Sequence, residues 1–187
     1  PEVLSESLAA GLRAVELDPA NASAHEYVAM AYAEMGEMEA ARESFERALT
    51  LNPSKPDFYL HYGTYFIKLG EWERGVELVQ QGLDLSPAPP GWMYMPVAVD
   101  AFRRGDFEET LRLADKIISM GDNRGYLQAL AAAIALDDGR DKTHYIAGYR
   151  QVYGEVVDQP LAELARVFRD EELIRKYQRA LASVFAL

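Results

Sequence analysis

Residues 16–53 read ELDPANASAHEYVAMAYAEMGEMEAARESFERALTLNP, and the prolines that bracket this stretch decide the fold. Pro19, Pro53 and Pro87 follow one another at intervals of 34 residues, each behind a similar phrase: Glu16-Leu17-Asp18, Thr50-Leu51-Asn52 and Asp84-Leu85-Ser86. Gly36, Gly70, Gly105 and Gly139 keep the same beat, at 34, 35 and 34. Ala14, Ala48 and Gly82 hold another register, which Ile117 joins after a one-residue insertion, and Phe45, Val79 and Ala114 hold a further one. A shared period of this length marks one supersecondary unit repeated along the chain.

Each register has a mechanical reading. A glycine in mid-unit can take positive φ and close a first helix. A proline at the end cannot continue the second helix. Large apolar residues at i, i+3, i+4 and i+7 form packing stripes: Tyr27, Val28, Ala31 and Tyr32 on one helix, Ala41, Phe45, Ala48 and Leu49 on the next. Each unit therefore reads as an antiparallel helix pair. Pro87, Pro89, Pro90 and Gly91 carry the inserted residue, and Pro96 falls in the first turn of a helix expected to begin near Met93.

These residues resemble the tetratricopeptide repeat (TPR). Residues 22–55 supply its pattern as His25, Val28, Ala29, Tyr32, Gly36, Ala41, Phe45, Ala48 and Pro53. Residues 56–89 supply it as Tyr59, Tyr62, Gly63, Phe66, Gly70, Gly75, Val79, Gly82 and Pro87. Residues 91–124 are looser, with Tyr94, Val97, Ala98, Ala101, Gly105, Thr110, Ala114 and Ile117, and with Asp122 where proline is expected. Residues 125–153 are degenerate: Ala131, Ala132, Ala135 and Gly139 fit, but His144 and Gly148 stand where a small and an aromatic residue are usual. The resemblance implies an all-α fold, a right-handed superhelical solenoid of antiparallel helix pairs forming a single domain over 1–187.

The flanks extend this expectation. Residues 2–19 read as the second helix of a unit whose first helix is absent, so the chain reads as a fragment of a longer protein. Over 158–187, Asp158 is expected to cap one helix, with Pro160 in its first turn, and Asp170 to cap a last one carrying Leu173, Ile174, Tyr177, Leu181 and Phe185. These two helices are expected to cap the array. The run GWMYMPVAVDAFRRGDFEETLRLADKI and the ending VFRDEELIRKYQRALASV are similar to TPR segments that follow bacterial class III adenylate cyclase domains. That resemblance covers roughly residues 50–185 and implies a signalling context; TPR tails of winged-helix transcription regulators and stand-alone TPR adaptors are the alternatives. No cyclase catalytic residue lies in the matching chain.

Composition narrows the function. The chain has 187 residues, no cysteine and 30 acids against 19 lysines and arginines, a formal charge of −11. Without cysteine there are no disulfides, thiolate metal sites or cysteine nucleophile, and because the opening PEVLSESLAAGL lacks the basic region and apolar core of a secretory signal, a cytoplasmic setting is expected. The acidity argues against nucleic acid or an anionic membrane as partner, and it lies in residues 1–123. The Gly-rich phosphate loops, the G-x-S-x-G elbow and H-E-x-x-H are all absent. Asp137, Asp138, Gly139 and Asp141 fail the EF-hand spacing, and His25, His61 and His144 do not share a register. The fragment is expected to have no enzymatic activity, no cofactor and no metal.

The TPR resemblance implies instead a concave groove lined by first helices. Its contact positions fall on Glu26, Met30 and Glu34 in an acidic N-terminal part. They continue on Leu60, Thr64, Ile67 and Lys68, on Trp92, Met95, Val99, Phe102 and Arg103, and on Tyr126. The Lys/Asn/Arg clamp that TPRs use for acidic tails is missing. The aromatic part, with Trp92 and Phe102 as anchors, suits an amphipathic helix or an extended peptide, from another protein or another domain of the parent chain. The alternative is that the chain's own last helix covers it. Self-association through the half unit or the aromatic groove, giving a homodimer, is a further expectation.

Overall fold

Each of the three Leu-x-Pro phrases ends a helix at its leucine. In the computed structural model, which describes residues 2–185, α1 (Glu2–Leu17), α3 (Met38–Leu51) and α5 (Trp72–Leu85) stop two residues before Pro19, Pro53 and Pro87. The glycines close the intervening helices. Gly36 and Gly105 cap α2 (Ala22–Met35) and α6 (Met95–Arg104) at φ 85° and 83°, and Gly70 follows α4 (Pro56–Lys68) at φ 82°. At these angles a Cβ would crowd the backbone, so glycine is the residue that fits. The remaining helices are α7 (Phe107–Ser119), α8 (Gly125–Leu136), α9 (Thr143–Tyr153), α10 (Asp158–Phe168) and α11 (Glu171–Leu181). No strand occurs among the described residues. Pro1, Ala186 and Leu187, within the expected 1–187 and 158–187 spans, lie outside them.

Several local expectations need correction. A 3-10 turn over Gly91–Tyr94 precedes α6, so the helix begins at Met95 rather than Met93, with Pro96 still in the first turn. Asp158 is the first residue of α10 and makes no cap; Val157 precedes it. Asp170 does cap α11, its carboxylate accepting from the Leu173 amide at 2.9 Å. Phe185 lies beyond the end of α11 and is buried nonetheless.

The chain packs as two compact units: residues 1–65 with 77–87, and residues 66–76 with 88–187. In the first unit, Phe45 of α3 meets Tyr62 and Tyr65 of α4 at ring-centroid distances of 5.1 and 5.6 Å. Each phenol there has a polar outlet, Tyr65 to the Met38 carbonyl at 2.7 Å and Tyr62 to Glu46 at 3.1 Å, so both rings fill the core without an orphaned hydroxyl. Gly82 of α5 lies against the start of α4, where an added Cβ would sit 2.8 Å from the Pro56 carbonyl oxygen.

The second unit is built around α8. Its residues 127–133 are all buried, as expected of a helix apolar on every side. The degenerate repeat packs by exchange of volume. Gly148 on α9 stands where an aromatic residue is usual, and the ring of Tyr126 from α8 fills the space that its missing side chain leaves. α10 and α11 complete this core. Phe168 of α10 stacks on Trp72 at 5.7 Å, and Leu173, Tyr177 and Leu181 of α11 are fully buried.

Candidate protein-binding site

In the first unit, α1 and α2 form an open groove of about 540 Å³. Leu4, Ser7, Ala10, Gly11 and Ala14 of α1 line one wall; Ala24, Tyr27, Met30, Ala31 and Glu34 of α2 line the other. The walls close up because position 11 lacks a side chain: a Cβ there would lie 2.9 Å from Val28 Cγ2. Tyr27 was expected in the packing stripe, yet it is 63 % exposed. An aromatic ring held this far into water on an apolar groove is a candidate contact.

Met30 and Glu34 of the expected acidic part stand in this groove, and Glu26 does not. Glu26 is only 4 % exposed. Its carboxylate lies 2.7 Å from His61 Nδ1 and 3.5 Å from Lys55 Nζ, and Lys55 also donates to Ser23 Oγ at 3.2 Å. These contacts tie α2 to the start of α4 and satisfy a buried charge. Leu60 is likewise buried, and Thr64 donates its hydroxyl to the Leu60 carbonyl at 2.9 Å.

In the second unit the expected contacts are mostly covered by the chain itself. Ile67, Val99 and Phe102 are buried, Phe102 at 1 % exposure. The ring of Tyr177 from α11 stacks on Phe102 at 4.1 Å, so this expected anchor faces the last helix. Arg103 is held by Asp100 at 2.9 Å, stands over the Trp72 ring at 4.8 Å, and accepts Lys176 Nζ on its carbonyl at 2.6 Å. Met95 packs beside the core, and Tyr126 lies against α9 at Gly148. Trp92 in the 3-10 turn and Lys68 at the end of α4 are half-buried. Of the two alternatives left open by the sequence, coverage by the last helix is what the structure displays around Phe102.

Two phenols of the second unit are held in buried surroundings. Burial pushes the phenols of Tyr149 and Tyr153 up to about 12, so both stay neutral. Tyr149 donates to the Val156 carbonyl at 2.8 Å. Among the described residues, no group of three or more histidines and acids is placed to hold a metal ion, and no helix is long and apolar enough to cross a membrane.

Paired helices of this length, closed by glycine and ended before proline, define a tetratricopeptide-repeat fold. Residues 24–88 match the family described as YpiA-like, C-terminal tetratricopeptide repeats. Solved structures share the fold at low identity. The pilF protein of Pseudomonas aeruginosa superposes with a TM-score of 0.71 at 17 % identity, over 99 % of this chain and 93 % of that one. PilW, described as a widely conserved type IV pilus biogenesis factor, gives 0.71 at 18 %, over 98 % and 86 %. YrrB, described as a TPR protein with an unusual peptide-binding site, gives 0.67 at 14 %, over 92 % and 91 %. No curated protein matches the chain. What these structures share with the chain is the fold, and a TPR fold suggests a protein-interaction module.

Proposed function

We propose that this chain is a non-catalytic interaction module that binds a protein segment, from a partner or from another part of its own polypeptide, in the α1–α2 groove, through Tyr27 and Met30 with Glu34 at the rim. The observation that carries this reading is Tyr27, exposed on an open apolar groove. The peptide-binding site named for YrrB, a protein of the same fold, supports a peptide as ligand. The proposed setting is the cytoplasm, and the net charge of −11 disfavours nucleic acid and anionic lipid. The test is a photo-crosslinking residue placed at Tyr27, with Gln81 on the exposed face of α5 as control. A protein captured from position 27 alone, and lost on Met30→Glu, supports the reading. Equal labelling from both positions, or turnover of a substrate at enzyme-like rates, overturns it.

A second reading follows from the narrower resemblance read in the sequence. The resemblance of residues 91–117 and 167–184 to segments that follow class III cyclase domains supports a module that tunes nucleotide cyclisation within a larger signalling protein. Sequencing of the natural gene upstream of the Pro1 codon tests it: metal-binding aspartates of a cyclase domain there support it, and a winged helix or the lack of any such domain overturns it.

A further inference from the structure

α11 carries its own start and its own surface pairs. Asp170 caps it, Glu171 receives Arg175 at 2.7 Å, and its acids precede its bases. None of these contacts needs another helix. α11 is joined to α10 by the short turn Arg169-Asp170, in which Arg169 is held at φ 51°. A residue with a Cβ is strained at that angle, and opening the turn releases the strain.

The seat beneath α11 is specific in two places and unsatisfied in a third. The Tyr177 ring stacks on Phe102 of α6 at 4.1 Å. Lys176 Nζ donates to the Arg103 carbonyl at 2.6 Å, in the last turn of α6, where the helix dipole favours a cation. The third place is where Tyr177 Oη lies beside Gln128 Oε1 of α8. Both atoms are buried, and neither makes a hydrogen bond of good geometry. A buried polar group left without a partner weakens the contact that buries it. α11 thus fills the seat without satisfying it.

We propose that α11 is a removable cover, which keeps the α6–α8 seat from an amphipathic helix of a partner protein. The contacts that α11 makes specify that helix: an aromatic residue for Phe102, a leucine one turn to either side as Leu173 and Leu181 supply, and a lysine or arginine for the α6 carbonyl. A second copy of the chain offers the same helix, but two chains of −11 repel each other. This seat is separate from the α1–α2 groove, and neither reading rests on the other.

A ligand for a covered seat binds with its affinity reduced by the fraction of chains in which the seat is open. Loosening α11 in the chain therefore raises the affinity, and the same change in the ligand lowers it. The experiment uses the whole chain and a labelled synthetic peptide of residues 170–185, read by fluorescence anisotropy. Lys176 is only partly buried, so its replacement leaves the core intact. Lys176→Ala in the chain is expected to tighten the peptide by about tenfold, and Lys176→Ala in the peptide to weaken it by about tenfold, the loss of one charge-assisted hydrogen bond in each case. A peptide with Tyr177→Asp is expected not to bind. Met30→Glu in the chain is expected to leave the affinity unchanged, which separates this seat from the α1–α2 groove.

Opposite signs for one substitution on the two sides of the contact are what a purely structural helix does not give. Failure of the peptide to bind either chain overturns the proposal, as does a Lys176→Ala chain that binds it no better than the original. Undiminished binding of the Tyr177→Asp peptide overturns the aromatic seat. Loss of binding on Met30→Glu assigns the peptide to the α1–α2 groove, and concentration-dependent dimers that excess peptide dissociates give the seat to a second copy. Either of these results also overturns the proposal.

Discussion

Tyr177 of α11 lies on Phe102 of α6 with ring centroids 4.1 Å apart and planes inclined by 27°. Both residues are buried, and next to them Lys176 donates to the Arg103 carbonyl. The contact brings the end of the chain back onto the middle of the second unit. Loss of the ring in Tyr177→Ala is expected to lower the unfolding free energy by about 3–5 kcal/mol. Tyr177→Phe is expected to change it by less than about 1 kcal/mol. Gln128 lies beside the hydroxyl, yet neither Tyr177 Oη nor Gln128 Oε1 makes a hydrogen bond of good geometry, and burial holds the phenol neutral. Urea denaturation of the two variants checks both values; a Tyr177→Phe loss as large as the alanine loss would show that the hydroxyl, not the ring, holds α11.

The helix ends were legible because single residues set them. A proline without an N–H and a glycine at positive φ act locally, so Leu17, Leu51, Leu85, Gly36 and Gly105 could be placed from the sequence. The surface was less legible because it depends on what returns to cover it. Phe102 occupies a TPR contact position, but nothing near it in sequence records that Tyr177 will land on it. Tyr27 fits a packing stripe by spacing, and spacing carries no information about whether a neighbouring helix is there. Tyr126 was expected in the groove and turns to α9; its signal was present in Gly148, which has no side chain at the register that Phe45, Val79 and Ala114 hold.

That exchange of volume gives a sharp test. A Cβ added at Gly148 would collide with the Tyr126 ring at its Cδ1–Cε1 edge. Gly148→Ala is therefore expected to cost about 1–3 kcal/mol from overpacking, against the roughly 0.5–1 kcal/mol that alanine normally gains over glycine in a helix. In a Tyr126→Ala background the clash is gone, and the same substitution is expected to become neutral or stabilising. A double-mutant cycle by thermal or urea unfolding reads the difference. Additive effects would show that the ring has another place to go.

Between α8 and α9, Arg140 is clasped by the Asp138 carboxylate and reaches Glu108 of α7 at 2.9 Å. The Arg140 guanidinium holds the Asp138 carboxyl down at about 2, against an ordinary 3.8. A folded-state pKa below the unfolded one means that this contact favours folding above the ordinary value and is lost as pH falls from there through about 2. Asp138 lies on the surface, so salt screens the contact and its weight in stability is small. Titration of the side-chain carboxyl by NMR is expected to give a midpoint near 2 in the native chain, returning to the ordinary carboxylate range in Arg140→Ala. A midpoint that stays low in the variant would assign the shift to the backbone amides of the loop instead.

Trp72 offers a way to watch the last helices separately from the rest. It is buried, with Phe168 of α10 stacked on one face at 5.7 Å and 12°, and the Arg103 guanidinium 4.8 Å from its ring centre. Trp92, the only other tryptophan, is removed as Trp92→Phe so that emission comes from Trp72 alone. Phe168→Ala in this background is expected to destabilise by about 3–5 kcal/mol and to shift the emission to the red, because water reaches the indole. If α10 and α11 dock as a local unit onto helices already formed, the emission of the Phe168→Ala chain is expected to change at lower urea than its far-ultraviolet circular dichroism. Coincident transitions would mean that α10 and α11 unfold together with the helices beneath them, as one cooperative core with α8 at its centre.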